Sequence, residues 1–90
     1  MTREQYLDMA RQCICGDRQA DYGDARDNFT AIADAWSWYT EEEYSATDVA
    51  IMMALLKIAR LKTGQPKDDS FVDAIGYLAL AGELVERDYP

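Results

Sequence analysis

The chain has no histidine, only two prolines and two cysteines, and no apolar run approaching the ~18–20 residues of a membrane span. Each scarcity removes a class of function. Without histidine, Cys13 and Cys15 cannot complete a zinc site, and no Ser/His/Asp set exists. There is also no glycine-rich phosphate loop and no C-x-x-C, so P-loop hydrolysis and nucleophilic catalysis lack support. Basic residues are scarce as well: nine Lys and Arg face seventeen Asp and Glu, for a net charge of −8. Such a surface repels phosphate backbones, so a nucleic-acid partner is not expected. Arg3, Glu4, Asp8 and Arg11 break up the N-terminal stretch, so no secretory leader is read. The two cysteines, on different faces of one helix, read as reduced thiols of a soluble cytoplasmic protein.

What is present points to helices. Ninety residues, 49% of them hydrophobic, suit a single all-α domain over 1–90. A chain of this size buries only roughly 60–65% of its unfolded surface, so a homo-oligomer, dimer or higher, is expected to complete the core. Residues 3–15 carry Tyr6, Met9, Ala10, Cys13 and Ile14 at helical spacing, stopped by Gly16. A polar loop, Asp17 to Gly23, leads to an N-cap at Gly23 or Asp24. A second helix, Ala25–Tyr39, places Phe29, Ile32, Ala33 and Trp36 on its core stripe. Ser45 and Asp48 form a capping-box pattern for a third helix, Ala46–Thr63, apolar nearly all round from Val49 to Leu61. Such a helix is central, covered by its own chain or by a second subunit. Gly64 and Pro66 turn the chain, and Asp68 is placed to cap a fourth helix, Asp69–Arg87, with Asp88-Tyr89-Pro90 read as frayed.

Charge follows a pattern along the chain. Residues 49–67 hold Lys57, Arg60, Lys62 and Lys67 and no acid, between two acidic blocks. In a hairpin centred near Pro66, Lys57 and Arg60 share one helix face while Asp69, Asp73 and Tyr77 share the other. Both sets can meet. Two readings stay open: an ion-pair network that fixes hairpin register, or a pocket where Lys57 and Arg60 hold a phosphate and Asp69 and Asp73 hold Mg²⁺. A second candidate is Arg18–Asn28, where Tyr22 offers a stacking ring and Asn28 an amide near a helix N-terminus. Trp36, Trp38 and Tyr39 can stack on a base or pack in a core or interface.

Three runs, DYGDARDNFTAIADAW (21–36), DVAIMMALLKIARL (48–61) and KDDSFVDAIGYLAL (67–80), resemble a family of short uncharacterised proteins encoded by phages and prophages. The resemblance covers about Arg18 to Glu83. That family is distantly similar to the all-α nucleotide pyrophosphohydrolases of the MazG type. Those enzymes use an ExxE pair and an ExxD pair on successive helices to bind Mg²⁺ and cleave nucleoside triphosphates to monophosphates and pyrophosphate. The resemblance implies a four-helix MazG-like arrangement, with helix 46–63 forming a hairpin with helix 69–87, in a bacterial host's cytoplasm. It also implies a nucleotide ligand, bound by Lys57, Arg60, Tyr22, Asn28, Trp36 and Tyr77.

Asp73, in VDAIGYL, matches the Asp of the second pair, but Asp69 stands four residues before it and Ser70 takes the expected position. The first pair is missing: Met52, Met53 and Lys57 stand where the enzymes hold carboxylates. The pattern implies a nucleotide-binding protein of MazG-like fold, either a Mg²⁺-dependent nucleotide pyrophosphohydrolase or a degenerate one that sequesters a nucleotide. The alternative is a non-catalytic interaction module or structural oligomer acting on a host protein.

Overall fold

Thr2, Asp24 and Ser45 each precede a helix, and each side chain accepts a backbone N–H from the first turn that follows. The computed structural model describes residues 1–16, 24–64 and 67–89. Four helices run through them: α1 Arg3–Cys15, α2 Ala25–Thr40, α3 Ala46–Lys62 and α4 Lys67–Asp88. No strand occurs among the described residues, so the all-α expectation holds. Two starts are full capping boxes, Thr2 with Gln5 and Ser45 with Asp48, which satisfy orphan N–H groups at both positions. The polar loop 17–23 and the turn residue Pro66 lie outside the described residues.

α2 ends at Glu41, which adopts the left-handed conformation with φ 60°. A side chain there costs about 1 kcal/mol relative to glycine. The bend is held because the Tyr44 N–H donates to Ser37 Oγ at 3.0 Å, and Ser37 Oγ donates in turn to the Ala33 carbonyl. α3 then starts immediately and runs to Thr63 and Gly64, whose φ of 85° needs no Cβ.

α3 and α4 make the most extensive packing in the molecule, while α1 lies on α4 and α2 on α3. Phe29, Ala33, Ala46, Val49, Ala50, Ala81 and Leu84 form the core cluster. Ile32, Trp36, Tyr44, Met53, Tyr77 and Leu80 close its edges. Most of the fully enclosed positions are alanines, so helices approach closely but little large side chain is sealed inside. Gly76 serves the same purpose for α1: a Cβ there would sit 3.1 Å from Cγ2 of Ile14.

Two expectations about the last helix are corrected. It begins at Lys67, two residues earlier than Asp69, so Asp68 lies inside the first turn and does not precede the helix as its cap. The Asp68 carboxylate instead accepts the Tyr6 hydroxyl at 2.6 Å, which ties α1 to the start of α4 and raises the Tyr6 pKa. Nor are Asp88 and Tyr89 frayed. Asp88 ends α4 and its carboxylate accepts both the backbone N–H of Thr47, at 2.9 Å, and the Thr47 hydroxyl. Tyr89 reaches Ser45 Oγ at 3.2 Å. The open N–H groups at the start of α3 attract a carboxylate from far along the chain, and no local rule of helix endings anticipates that.

The hydrogen bonds from Thr47 lower the Asp88 pKa against an opposing effect of desolvation, with smaller help from Arg87 and Arg26. Because the folded value lies below the unfolded one, this stabilisation is complete above the ordinary carboxylate range and is lost as pH falls through the folded value. Asp88→Asn is expected to flatten the acid limb of a pH-dependent urea denaturation series, and Asp88→Ala to cost about 1 kcal/mol at neutral pH. At the α2 terminus, Glu41→Gly should raise stability by about 0.5–1 kcal/mol in the same assay.

Candidate functional site

The charges of the hairpin meet in part. Lys57 Nζ lies 3.0 Å from Asp73 Oδ2, with side chains 18% and 32% exposed. The pair is therefore half-sheltered, between α3 and α4. Arg60 and Asp69 are exposed and form no ion pair among the described residues. Asp73 thus faces an ammonium group already, and Asp69 stands in solvent one turn away.

This donor set does not fit a multi-Mg²⁺ centre. Among the described residues no group of three or more Cys, Asp or Glu side chains is placed to share an ion. A magnesium ion needs several oxygens at once, and the oxygen nearest at hand is occupied by Lys57.

The remaining candidates are distributed over the core edge and the surface. Tyr77 is half-buried and tilts against Phe29, ring centroids 6.1 Å apart. Trp36 packs edge-on against Tyr44 at 6.2 Å, so its ring helps close the core. Asn28 is exposed in the first turn of α2, and Tyr22 lies outside the described residues. Cys13 is half-buried and Cys15 exposed, both as free thiols.

The sequence reading missed a cleft. Ile14 and Cys15 of α1, the start of α2 at Asp24–Arg26, and Ala79–Arg87 of α4 enclose about 410 Å³ open to solvent. Arg26 and Arg87 stand on it, both near enough to Asp88 to help hold that carboxylate ionised. Asp24 and Glu83 supply acceptors beside them. The volume suits a small organic ligand, and two guanidinium forks suit an anionic group. On α4, Asp73 and Glu83 are ten residues apart, about 15 Å along the axis, so this cleft and the Lys57–Asp73 pair are separate places. Isolated arginines in distant segments give no sequence signal, which is why the cleft was not legible.

A family model described as Domain of unknown function (DUF6378) matches residues 5–85. The chain belongs to the DUF6378 family. Two phage proteins share its sequence closely. The Gene 55 protein of Mycobacterium phage D29 is 42% identical over 84 residues, 93% of this chain and 56% of that protein. The Gene 55 protein of Mycobacterium phage L5 is 42% identical over 85 residues, 93% of this chain and 53% of that protein. This DUF6378 chain therefore spans a little over half the length of these curated relatives. No solved structure matches it. The phage kinship is thus shown at the level of the family, and these comparisons show no likeness to MazG-type enzymes. No helix among the described residues is long and apolar enough to cross a membrane.

In this DUF6378 chain the Lys57–Asp73 ion pair links α3 to α4. Removing one partner leaves a half-sheltered charge, whereas removing both leaves a packed apolar seam. Asp73→Leu or Lys57→Met alone should cost about 1–3 kcal/mol in urea denaturation, and the double variant appreciably less than the sum. Additive losses in that cycle would show that the two groups do not act together.

Proposed function

We propose that this chain is a phage nucleotide-binding protein that does not hydrolyse its ligand, acting in the cytoplasm of the infected bacterium. The observation that carries this reading is the cleft of about 410 Å³ edged by Arg26 and Arg87. Paired guanidinium groups favour a phosphate chain, and the acceptors Asp24 and Glu83 can take hydroxyl or amino donors of the ribose and base. Asn28, four residues after Asp24 on α2, is exposed and does not line the cleft. Tyr22, in the segment leading to α2, is the ring proposed to stack on the base. Lys57, paired with Asp73, and Arg60 lie apart from this cleft and take no part in the proposed nucleotide site. Mg²⁺ enters, on this reading, only with the nucleotide, whose phosphate oxygens supply most of its ligands.

Isothermal titration against a panel of nucleoside mono-, di- and triphosphates, with and without Mg²⁺, tests the proposal. We expect single-site binding, weakened at least ~10-fold by Arg26→Ala with Arg87→Ala, and no phosphate or pyrophosphate release by wild type or Asp73→Asn. Absence of heat with every nucleotide would overturn the binding reading. Release that depends on Asp73 would overturn the non-hydrolytic part.

A second reading has its own observation. Trp38 and Tyr39, adjacent near the end of α2, are each 81% exposed. Large aromatic rings left in water are typical anchors of protein interfaces. A host protein captured by the wild type but not by Trp38→Ala with Tyr39→Ala would support an interaction module. Equal capture by both would count against it.

A further inference from the structure

The hairpin of α3 and α4 has a side that nothing covers among the described residues. α2 packs on α3 and reaches α4 through Phe29 and Tyr77, and α1 crosses α4 at Gly76. Helical periodicity turns Ile51, Leu55 and Ile58 of α3, and Phe71, Leu78 and Val85 of α4, away from those contacts. These six are between 40% and 57% exposed, although Phe71 also touches the edge of Tyr6. Together they offer on the order of 500 Å² of apolar side chain, as much as the largest patches that monomers normally show.

The spacing of this patch is regular. Phe71, Leu78 and Val85 recur every seven residues. On α3, Asp48, Ile51, Leu55, Ile58 and Lys62 follow the alternating three- and four-residue steps of a heptad seam. Two contacts fix how the helices are aligned: Lys57 with Asp73 and Thr47 with Asp88. Interpolating between them puts Leu55 level with Gly76, two residues or about 3 Å from Leu78. The two stripes therefore have their midpoints within about half a helical turn of one height.

We propose that this face docks on a second copy of the same chain, through a two-fold axis lying in the interface across the helices at the level of Leu55 and Leu78. Two symmetric ways of stacking the hairpins exist. An axis parallel to the helices would lay turn upon turn with α3 over the partner's α4, bringing Lys62 of each copy toward Lys67 of the other. The crosswise axis runs α3 antiparallel to its partner α3, and α4 to its partner α4. It brings Lys62 of each copy to the other's Asp48, and the basic turn end to the acidic end holding Glu86 and Asp88. Charge selects the crosswise arrangement. Midpoints within about 3 Å of one another are compatible with that symmetry, which centres both helices near one axis. This inference does not depend on the nucleotide reading.

Size-exclusion chromatography with light scattering should report a species of twice 10.2 kDa at micromolar concentration. Leu55→Glu and Leu78→Glu, at positions exposed in the monomer, should each weaken association on the order of 100-fold with helical circular dichroism unchanged. Lys62→Glu should weaken it about 10-fold at low salt and less at high salt. In a Cys13→Ser, Cys15→Ser background, Leu55→Cys sits near the axis and should oxidise readily to a covalent dimer, while Asp34→Cys on α2 should not. A monomer up to ~100 μM, a dimer insensitive to both glutamate substitutions, or equal cross-linking at positions 34 and 55 would overturn the proposal.

Discussion

The antiparallel seam between α3 and α4 is the constraint on which the rest depends. Its buried alanines, Ala50 and Ala54 on one helix and Ala74 and Ala81 on the other, let two backbones lie close. Close approach alone does not choose a register, since small side chains interlock weakly. Two polar ties do so. Lys57 meets Asp73 toward the turn, and Asp88 caps the start of α3 at the opposite end. With the hairpin fixed at both ends, α1 and α2 have a defined surface to pack on.

That economy of large buried side chains has a consequence for what the molecule can do. Among the described residues only Val49 of the larger side chains is sealed completely, whereas many Leu, Ile, Met and aromatic side chains remain partly in water. Hydrophobic burial is the main favourable contribution to folding, so a helical body with an alanine core and an apolar exterior has surface to spend on association. Arg60, Lys62 and Lys67 gather near the turn of the hairpin beside Asp68 and Asp69, while its open end carries Asp48, Glu83, Glu86 and Asp88 with Arg87.

Much of the fold was legible because helices announce themselves locally. Capping residues Thr2, Asp24 and Ser45, the stop at Gly16 and the 3.6-residue periodicity of Phe29 and Ala33 all act over a few residues. The pairing of Lys57 with Asp73 was also accessible, since a short turn leaves few registers for two apolar helices. The cleft was not accessible: Cys15, Arg26 and Glu83 meet only after three helices have packed. Asp88 was misread for a related reason. A residue next to a tyrosine and a proline looks like an unravelling end until its partner, 41 positions earlier, is in place.

Sequence by itself determined four helices, an acidic surface and a basic third quarter. These follow from composition and short-range spacing, which are properties of the chain before it folds. Tertiary structure decided which charges meet, that Arg60 and Asp69 stay in solvent, where a ligand-sized cleft opens, and which apolar stripe is left bare. Those outcomes depend on helix orientation and level, and only long-range packing sets them.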